Sequence, residues 1–359
     1  MQTRSTATPS FAPSHRTRPA RAHARWLLAL VVGLLIAPLA PGARAPDVSA
    51  QAETIRLDYA YYNPSSLVLR RFGWLEEELG AGGTEIEWTL SAGSNKANEF
   101  LRSDAIDFGS TAGAAALLAR ANGAEINTVY VFSKPEWTAL VVRGDSEITD
   151  VAQLAGKKVA VTKGTDPYFF LLQALAGAGL GPNDVEVINL QHADGKTALE
   201  RGDVDAWAGL DPFMAQTELE QGSRLLYRNI AFNSFGFLNA RTEFIEEFPA
   251  ETQIVLTAYE RARQWILDNP EEAAQILAEE SQLSIEVARK ELVERTVLTH
   301  DPVPGAEHDA VLRAIIPIME TGDQLSPDAN ATEALDTLFA PQFIRAIVPA
   351  GTPAASPPA

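Results

Sequence analysis

The chain has 359 residues, no cysteine and a formal net charge of −18. That length exceeds what one hydrophobic core usually serves, so two domains are expected. The missing thiols exclude disulfide staples, thiolate metal sites and cysteine nucleophiles, and the acidic balance argues against nucleic acid or anionic headgroups as partners.

The first 50 residues stand apart. Arg4, Arg16, Arg18, Arg21 and Arg25 precede an apolar run over 26–40, and small residues follow, with Ala43-Arg44-Ala45 and Val48-Ser49-Ala50 both readable as cleavage sites. This is the layout of a secretory signal peptide. The run holds Gly33 and Pro38 and is short for the ~20 residues a membrane span needs. The expectation is a periplasmic protein cut near 45 or 50, and not a lipoprotein, since no cysteine is available for acylation. Setting aside the six Arg and the one Asp of this segment leaves 23 basic against 46 acidic residues.

From 53 onward, strand-like runs alternate with helical patterns. Residues 55–62 read as a strand and 64–80 as a helix carrying Leu67, Leu69, Phe72, Leu75 and Leu79. A strand over 85–91 alternates Ile86, Trp88 and Leu90 with polar neighbours, and a helix over 95–102 follows. The short run 106–110, an alanine-rich helix over 114–121 and a strand over 126–132 complete this set. A second set begins at 138–142 and continues with strands at 158–162, 185–190, 204–208 and 225–232, with helices near 151–154 and over 168–177, 196–201 and 212–221 between them. Strands separated by helices of this length predict parallel sheets with covered faces. After Asn239 helical patterns dominate to 341, and the Pro/Ala/Ser-rich tail 349–359 reads as disordered.

The fold class is therefore α/β, with two lobes and a cleft between them. Lobe I is discontinuous, 53–134 plus 238–345 with the C-terminal helices, and lobe II is 135–237. Two crossings near 133–137 and 233–237 join them. Ligands bind such folds at the carboxyl ends of strands, and closure about the crossings is the expected motion.

No catalytic constellation stands out. The histidines beyond the leader, His192, His300 and His308, have no metal-ligand spacing, and no nucleophile elbow, phosphate loop or dinucleotide fingerprint follows a strand. No metal or cofactor is expected. What recurs is a strand running through small or hydroxyl residues into a helix: Ser91-Ala92-Gly93-Ser94-Asn95, Gly109-Ser110-Thr111-Ala112-Gly113, and Lys163-Gly164-Thr165-Asp166-Pro167. Such turns leave free N–H donors at a positive helix end, which suits an anion.

Asp166 before Pro167 and Asp211 before Pro212 have two readings, as helix caps or as carboxylates facing the cleft. In the cleft they would favour a ligand with a cationic or donor group. Tyr61, Tyr62, Trp137, Tyr168, Trp207 and Phe235 fall at expected cleft edges; Trp207 reads equally as core. The candidate contacts are Tyr62, Asn63, Gly93, Ser94, Ser110, Thr111, Trp137, Gly164, Thr165, Asp166, Trp207, Asp211 and Phe235.

At Ile106-Asp107-Phe108-Gly109-Ser110-Thr111, at Leu154-Ala155-Gly156-Lys157-Lys158-Val159-Ala160-Val161 with Lys163-Gly164-Thr165, and at Arg201-Gly202-Asp203-Val204-Asp205-Ala206-Trp207 with Asp211-Pro212, the chain resembles the periplasmic solute-binding proteins of ABC importers, in the aliphatic sulfonate, taurine and nitrate group. The resemblance spans about 53–343. It implies a type II periplasmic-binding fold without enzymatic activity, a small solute such as a sulfonate or taurine, a membrane permease as partner, and a monomer. It also implies that Ser110-Thr111 and Gly164-Thr165 meet the anionic head. Asp166-Pro167-Tyr168 stands where sulfonate binders carry further small hydroxyl residues. Two other roles for the fold are a pyrimidine-synthase-like enzyme and a solute-sensing module for a membrane receptor.

Overall fold

The computed structural model describes residues 51–348. The expected signal peptide, its cleavage site and the tail from 349 lie outside the described residues. The chain first builds β1 (Thr54–Tyr59), α1 (Pro64–Phe72), α2 (Trp74–Gly80), β2 (Glu85–Leu90), α3 (Ser94–Arg102), β3 (Phe108–Ala112), α4 (Gly113–Ala121) and β4 (Ile126–Pro135). It then crosses to β5 (Thr138–Val142), β6 (Lys158–Val161), α5 (Asp166–Gly177), β7 (Glu186–Asn189), α6 (His192–Arg201), β8 (Ala206–Leu210), α7 (Phe213–Gln221) and β9 (Arg224–Tyr227). It returns through β10 (Gly236–Arg241), α8 (Thr242–Glu247), α9 (Pro249–Asp268), α10 (Pro270–Ser281), α11 (Ile285–Arg289), β11 (Thr296–Val297), α12 (Ala306–Thr321), α13 (Ala331–Asp336) and α14 (Gln342–Arg345).

Two sheets result, ordered β11-β4-β10-β3-β1-β2 and β7-β6-β8-β5-β9. They are mixed rather than parallel. The β1/β2, β1/β3, β6/β7 and β6/β8 pairs are parallel, but β10 runs antiparallel to β3 and β4, and β5 to β8 and β9. A chain arriving from the other lobe enters a sheet from the opposite end, so each strand next to a crossing pairs antiparallel. β10 has no counterpart in the strand pattern of the sequence. Its residues Gly236 to Ala240 are all buried, so no polar alternation marks it.

Three element boundaries also differ. The helix expected over 64–80 breaks at Gly73, whose φ of 64° closes α1 with a left-handed cap. The strand expected over 225–232 stops at Tyr227, because the Asn229 side chain accepts from Ala231 N and starts a tight turn. Within the helical region expected after Asn239, α11 widens into a π turn after Arg289.

The returning helices cover the first sheet: α9 and α10 pack on α1, and α14 packs on α9. α12 is different. It packs on α4 and on α5, so Leu312, Ile315 and Met319 share one apolar cluster with Leu117 from the first lobe and Phe169 and Leu172 from the second.

Candidate functional site

Four loops at the carboxyl ends of strands meet between the sheets and enclose a cavity of about 80 Å3. Tyr61, Tyr62, Leu90, Ser91 and Ala92 line one side; Gln191, His192, Ala193, Leu210, Asp211, Pro212 and Phe213 line the other. A larger hollow of about 540 Å3 lies at the opposite end of the first sheet's strands, beside Gln51, Arg56, Asp107 and Arg241. It is open, and its two arginines are already paired: Arg56 and Arg241 both bind Asp107. The enclosed cavity is the better candidate site.

The two sides touch. A Cβ on Gly93 would lie 2.9 Å from His192 Nε2, and one on Gly164 would lie 3.7 Å from Asn95 Cβ. The structure is thus a closed form. Gly164 holds φ 76°, so the β6–α5 turn needs glycine for its backbone as well. α3 starts behind Gly93 and α6 behind Gln191, and neither helix has a side-chain cap. Their first N–H groups therefore lie beside the cavity without internal partners.

Most of the hydroxyl groups expected to meet a ligand are used inside the protein. Ser110 N and Oγ donate to Asp58 at 2.9 and 2.7 Å, Asn63 Nδ2 donates to Ser110 Oγ at 2.8 Å, and Tyr62 OH donates to Ser110 O at 2.9 Å. Burial pushes the Asp58 carboxyl up to about 6 despite the Ser110 donors. Thr111 Oγ1 accepts from Asn239 at 2.7 Å and donates to Ala112 O. Ser94 Oγ accepts from Ala112 N, and Thr165 Oγ1 donates to Thr162 O. These residues brace the loops from beneath; Asn63, Ser110, Thr111 and Thr165 are almost wholly inaccessible.

Asp166 follows neither of its two readings. Thr165 holds the N-cap position and Asp166 opens α5. Its carboxylate accepts from Trp137 Nε1 at 2.9 Å, from Ser234 N at 2.8 Å and from Ser234 Oγ, so it ties the two crossings together. Burial raises it to about 6, with the Ser234 and Trp137 donors opposing. Ser234 in turn accepts from Gly113 N through its carbonyl and from Ala114 N through Oγ. The start of α4, which the sequence offers as an anion cradle, is thereby filled by the hinge.

Asp211 lines the cavity, but its carboxylate accepts from Ala215 N at 2.8 Å at the start of α7 and from Arg295 Nη1 at 3.2 Å. Burial lifts it to about 6, against the pull of Arg295. Trp207 is a core residue of the second lobe, fully buried on β8 against Gly195. Phe235 packs on His308, ring centroids 4.5 Å apart, in the cluster around α12 and not on the cavity. Trp137 meets the edge of Tyr62 at 5.9 Å. The structure therefore places Tyr62 and Asp211 on the wall, Gly93 and Gly164 at the seam, Trp207 and Phe235 in apolar clusters away from it, and the others in the hydrogen-bonded loops and crossings.

Gln191 and His192 also line the cavity, although neither is among the contacts expected from the sequence. The signal was present, since Leu190-Gln191-His192 is another strand running through polar residues into a helix. His192 is buried, and its Nε2 has no partner. Burial pushes its pKa down to about 3, so the ring is neutral. Gln191 Oε1 and Ser91 Oγ also lack hydrogen-bond partners.

Two sheets joined by two crossings, with a solute-sized cavity closed between loops at strand ends, define the class of two-lobed substrate-binding proteins. The chain belongs to the NMT1/THI5-like family, which it matches over residues 73–273. It is 31% identical to a putative aliphatic sulfonates-binding protein of Escherichia coli (strain K12), over 72% of this chain and 81% of that one. It is 28% identical to a putative aliphatic sulfonates-binding protein of Bacillus subtilis (strain 168), over 79% and 86%. Among solved structures, the periplasmic aliphatic sulphonate binding protein SsuA from Escherichia coli superposes with a TM-score of 0.69 at 28% identity, over 81% of this chain and 93% of that one. The alkanesulfonate-binding protein SsuA from Xanthomonas axonopodis pv. citri, bound to MOPS, shares the fold with a TM-score of 0.70 at 24% identity, over 79% and 98%.

Proposed function

We propose that this protein is the periplasmic substrate-binding subunit of an ABC importer, that it captures a short aliphatic sulfonate between its lobes without transforming it, and that it hands the solute to a membrane permease. The carrying observation is the closed cavity between the uncapped starts of α3 and α6. Helix starts attract an anionic head through free N–H donors and the positive end of the helix dipole. Tyr61, Leu90, Leu210 and Phe213 supply an apolar wall for a short carbon chain. Capture is a population shift: a solute contacting both lobes favours the closed form by its differential contacts alone. The names of the relatives support the sulfonate. Export as a monomer through a cleaved leader is part of the same proposal.

The test is calorimetry and thermal melting of the chain from 51 onward with methanesulfonate, ethanesulfonate and nitrate. A solute at 100 times its Kd adds about 2.7 kcal/mol of stability. Ethanesulfonate is expected to bind more tightly than nitrate, which offers nothing to the apolar wall. Absence of binding by either sulfonate sinks the proposal.

A further inference from the structure

Where the lobes meet beside the cavity, one guanidinium serves three carboxylates. Arg295, from the first lobe, donates through Nη1 to Asp211 at 3.2 Å and through Nη2 to Glu218, both from the second lobe. Glu291, whose carbonyl accepts from Arg295 N, is buried beside them, and its Oε2 has no hydrogen-bond partner among the described residues. The other charges on the packed elements do not correct the count. Arg228, which faces Arg295 and Glu218, is held by Glu136 at 2.7 Å. Lys290 pairs with Glu294, and Glu220 on α7 is exposed and bonds Gln216. On α10, Glu271, Glu279 and Glu280 pair with Arg289, Arg71 and Arg70, and Glu272 is exposed, as is Glu286 on α11.

With the lobes apart, Glu291 and Arg295 are a one-to-one pair facing water. Closing brings Asp211 and Glu218 onto the same guanidinium and removes the cluster from solvent. Like charges gathered in a buried place drive one of them to take a proton. Asp211 holds Ala215 N and Arg295, and Glu218 holds Arg295; Glu291 is the acid left with a bare oxygen. Burial and Asp211 both push its carboxyl up, against Arg295. We propose that closure of the lobes takes up a proton on Glu291, so that solute capture is linked to pH through a cluster outside the cavity lining. This rests on the solute-binding reading of the cavity and adds its regulation. The closed form binds more protons than the open form, so capture tightens in acid and loosens as pH rises, by at most about tenfold per pH unit for one proton. By reciprocity, bound solute makes Glu291 harder to ionise.

The test is calorimetry of ethanesulfonate binding at about pH 6 and about pH 7.5, in phosphate and in bis-tris, two buffers of different ionisation enthalpy that are not themselves sulfonates. A sulfonate stays ionised throughout, so any proton exchanged belongs to the protein. The wild-type Kd should rise about threefold or more across this range, and the heats in the two buffers should differ as a net proton uptake requires. Glu291→Gln keeps the shape and removes the titration. Its uptake and its pH slope should both shrink, and at pH 7.5 it should bind more tightly than the wild type, a gain that a merely structural glutamate would not give. Glu218→Gln, from the other lobe, keeps an acceptor for Arg295 with one charge fewer and should also lower the uptake. Equal uptake in the wild type and Glu291→Gln, or weaker binding by that variant at pH 7.5, overturns the proton link and leaves solute capture standing. If Glu291→Gln does not fold, unchanged uptake in Glu218→Gln overturns it instead. Failure of the wild type to bind ethanesulfonate at either pH overturns both.

Discussion

Asp58 is a carboxylic acid beneath the first lobe with no cation beside it; its ring of donors is Ser110 N and Oγ. Burial in such a place disfavours the charged form, and the carboxyl sits at about 6 instead of the usual value near 4. A folded-state pKa above the unfolded one means that the native protein binds the extra proton. The associated stability is present at low pH and is lost as pH rises through about 6. Asp58→Asn mimics the protonated acid, so the stability gap between variant and wild type should be widest, in the variant's favour or least against it, at pH 7. It should move toward the wild type as pH falls to 4.5. Urea unfolding at both pH values measures this, and a gap independent of pH refutes it. His192 and His308, both lowered by burial, act in the opposite sense below about pH 6.5, which is why the comparison with the variant is needed and not the wild-type curve alone.

The meeting of α3 and α6 depends on the absence of one side chain. Gly93→Ala would put a methyl group 2.9 Å from His192 Nε2 and 2.8 Å from Asn95 Oδ1, closer than such contacts allow. Separation of the lobes would relieve the His192 contact, and the Asn95 amide is the far end of a flexible side chain that can turn aside. Solute affinity should fall at least about tenfold, while the melting temperature of the unliganded protein stays within a few degrees; unchanged affinity would show that the lobes do not approach this closely. Legibility in the sequence divides along the same line. Helices and parallel strands were readable because each is a local pattern with punctuation, as in Lys163-Gly164-Thr165. The glycine seam could be placed because left-handed or crowded turns demand glycine. β10 could not be read, since a strand buried on both faces lacks alternation and its partners β3 and β4 lie far off in sequence. Nor could the fate of Ser110, Thr111 and Asp166: hydroxyl and carboxyl groups at strand ends look alike whether they face a ligand or, as here, Asp58, Asn239 and Ser234.

Closure is held by charge as well as shape. Arg295, just before β11, reaches across to Asp211 at 3.2 Å and to Glu218 on α7, with side-chain exposures of 5% and 0% for the Arg295–Asp211 pair. The neighbouring Glu291 is also buried, and its pKa is raised by burial and by Asp211. Breaking a buried pair from one side leaves an uncompensated charge and costs about 3–5 kcal/mol. Arg295→Met should therefore lower stability on that scale and weaken solute binding, and small-angle scattering should show a larger radius for the liganded variant. Lys163 at 2.5 Å and Tyr168 at 2.9 Å both bind Asp323, a second tie from the second lobe to the segment after α12.

Ser234 serves two masters, closing the start of α4 while holding Asp166, which also grips Trp137. These three positions come from separate parts of the chain and form a single mechanical part. Anyone exchanging the second lobe between relatives to build a biosensor with new ligand preference would cut near 135 and 236 and treat the lobe as a cassette. The cassette must carry Trp137, Asp166 and Ser234 from the same donor; a graft that mixes their origins would leave a charged group stranded at the pivot, whatever the quality of its binding loops.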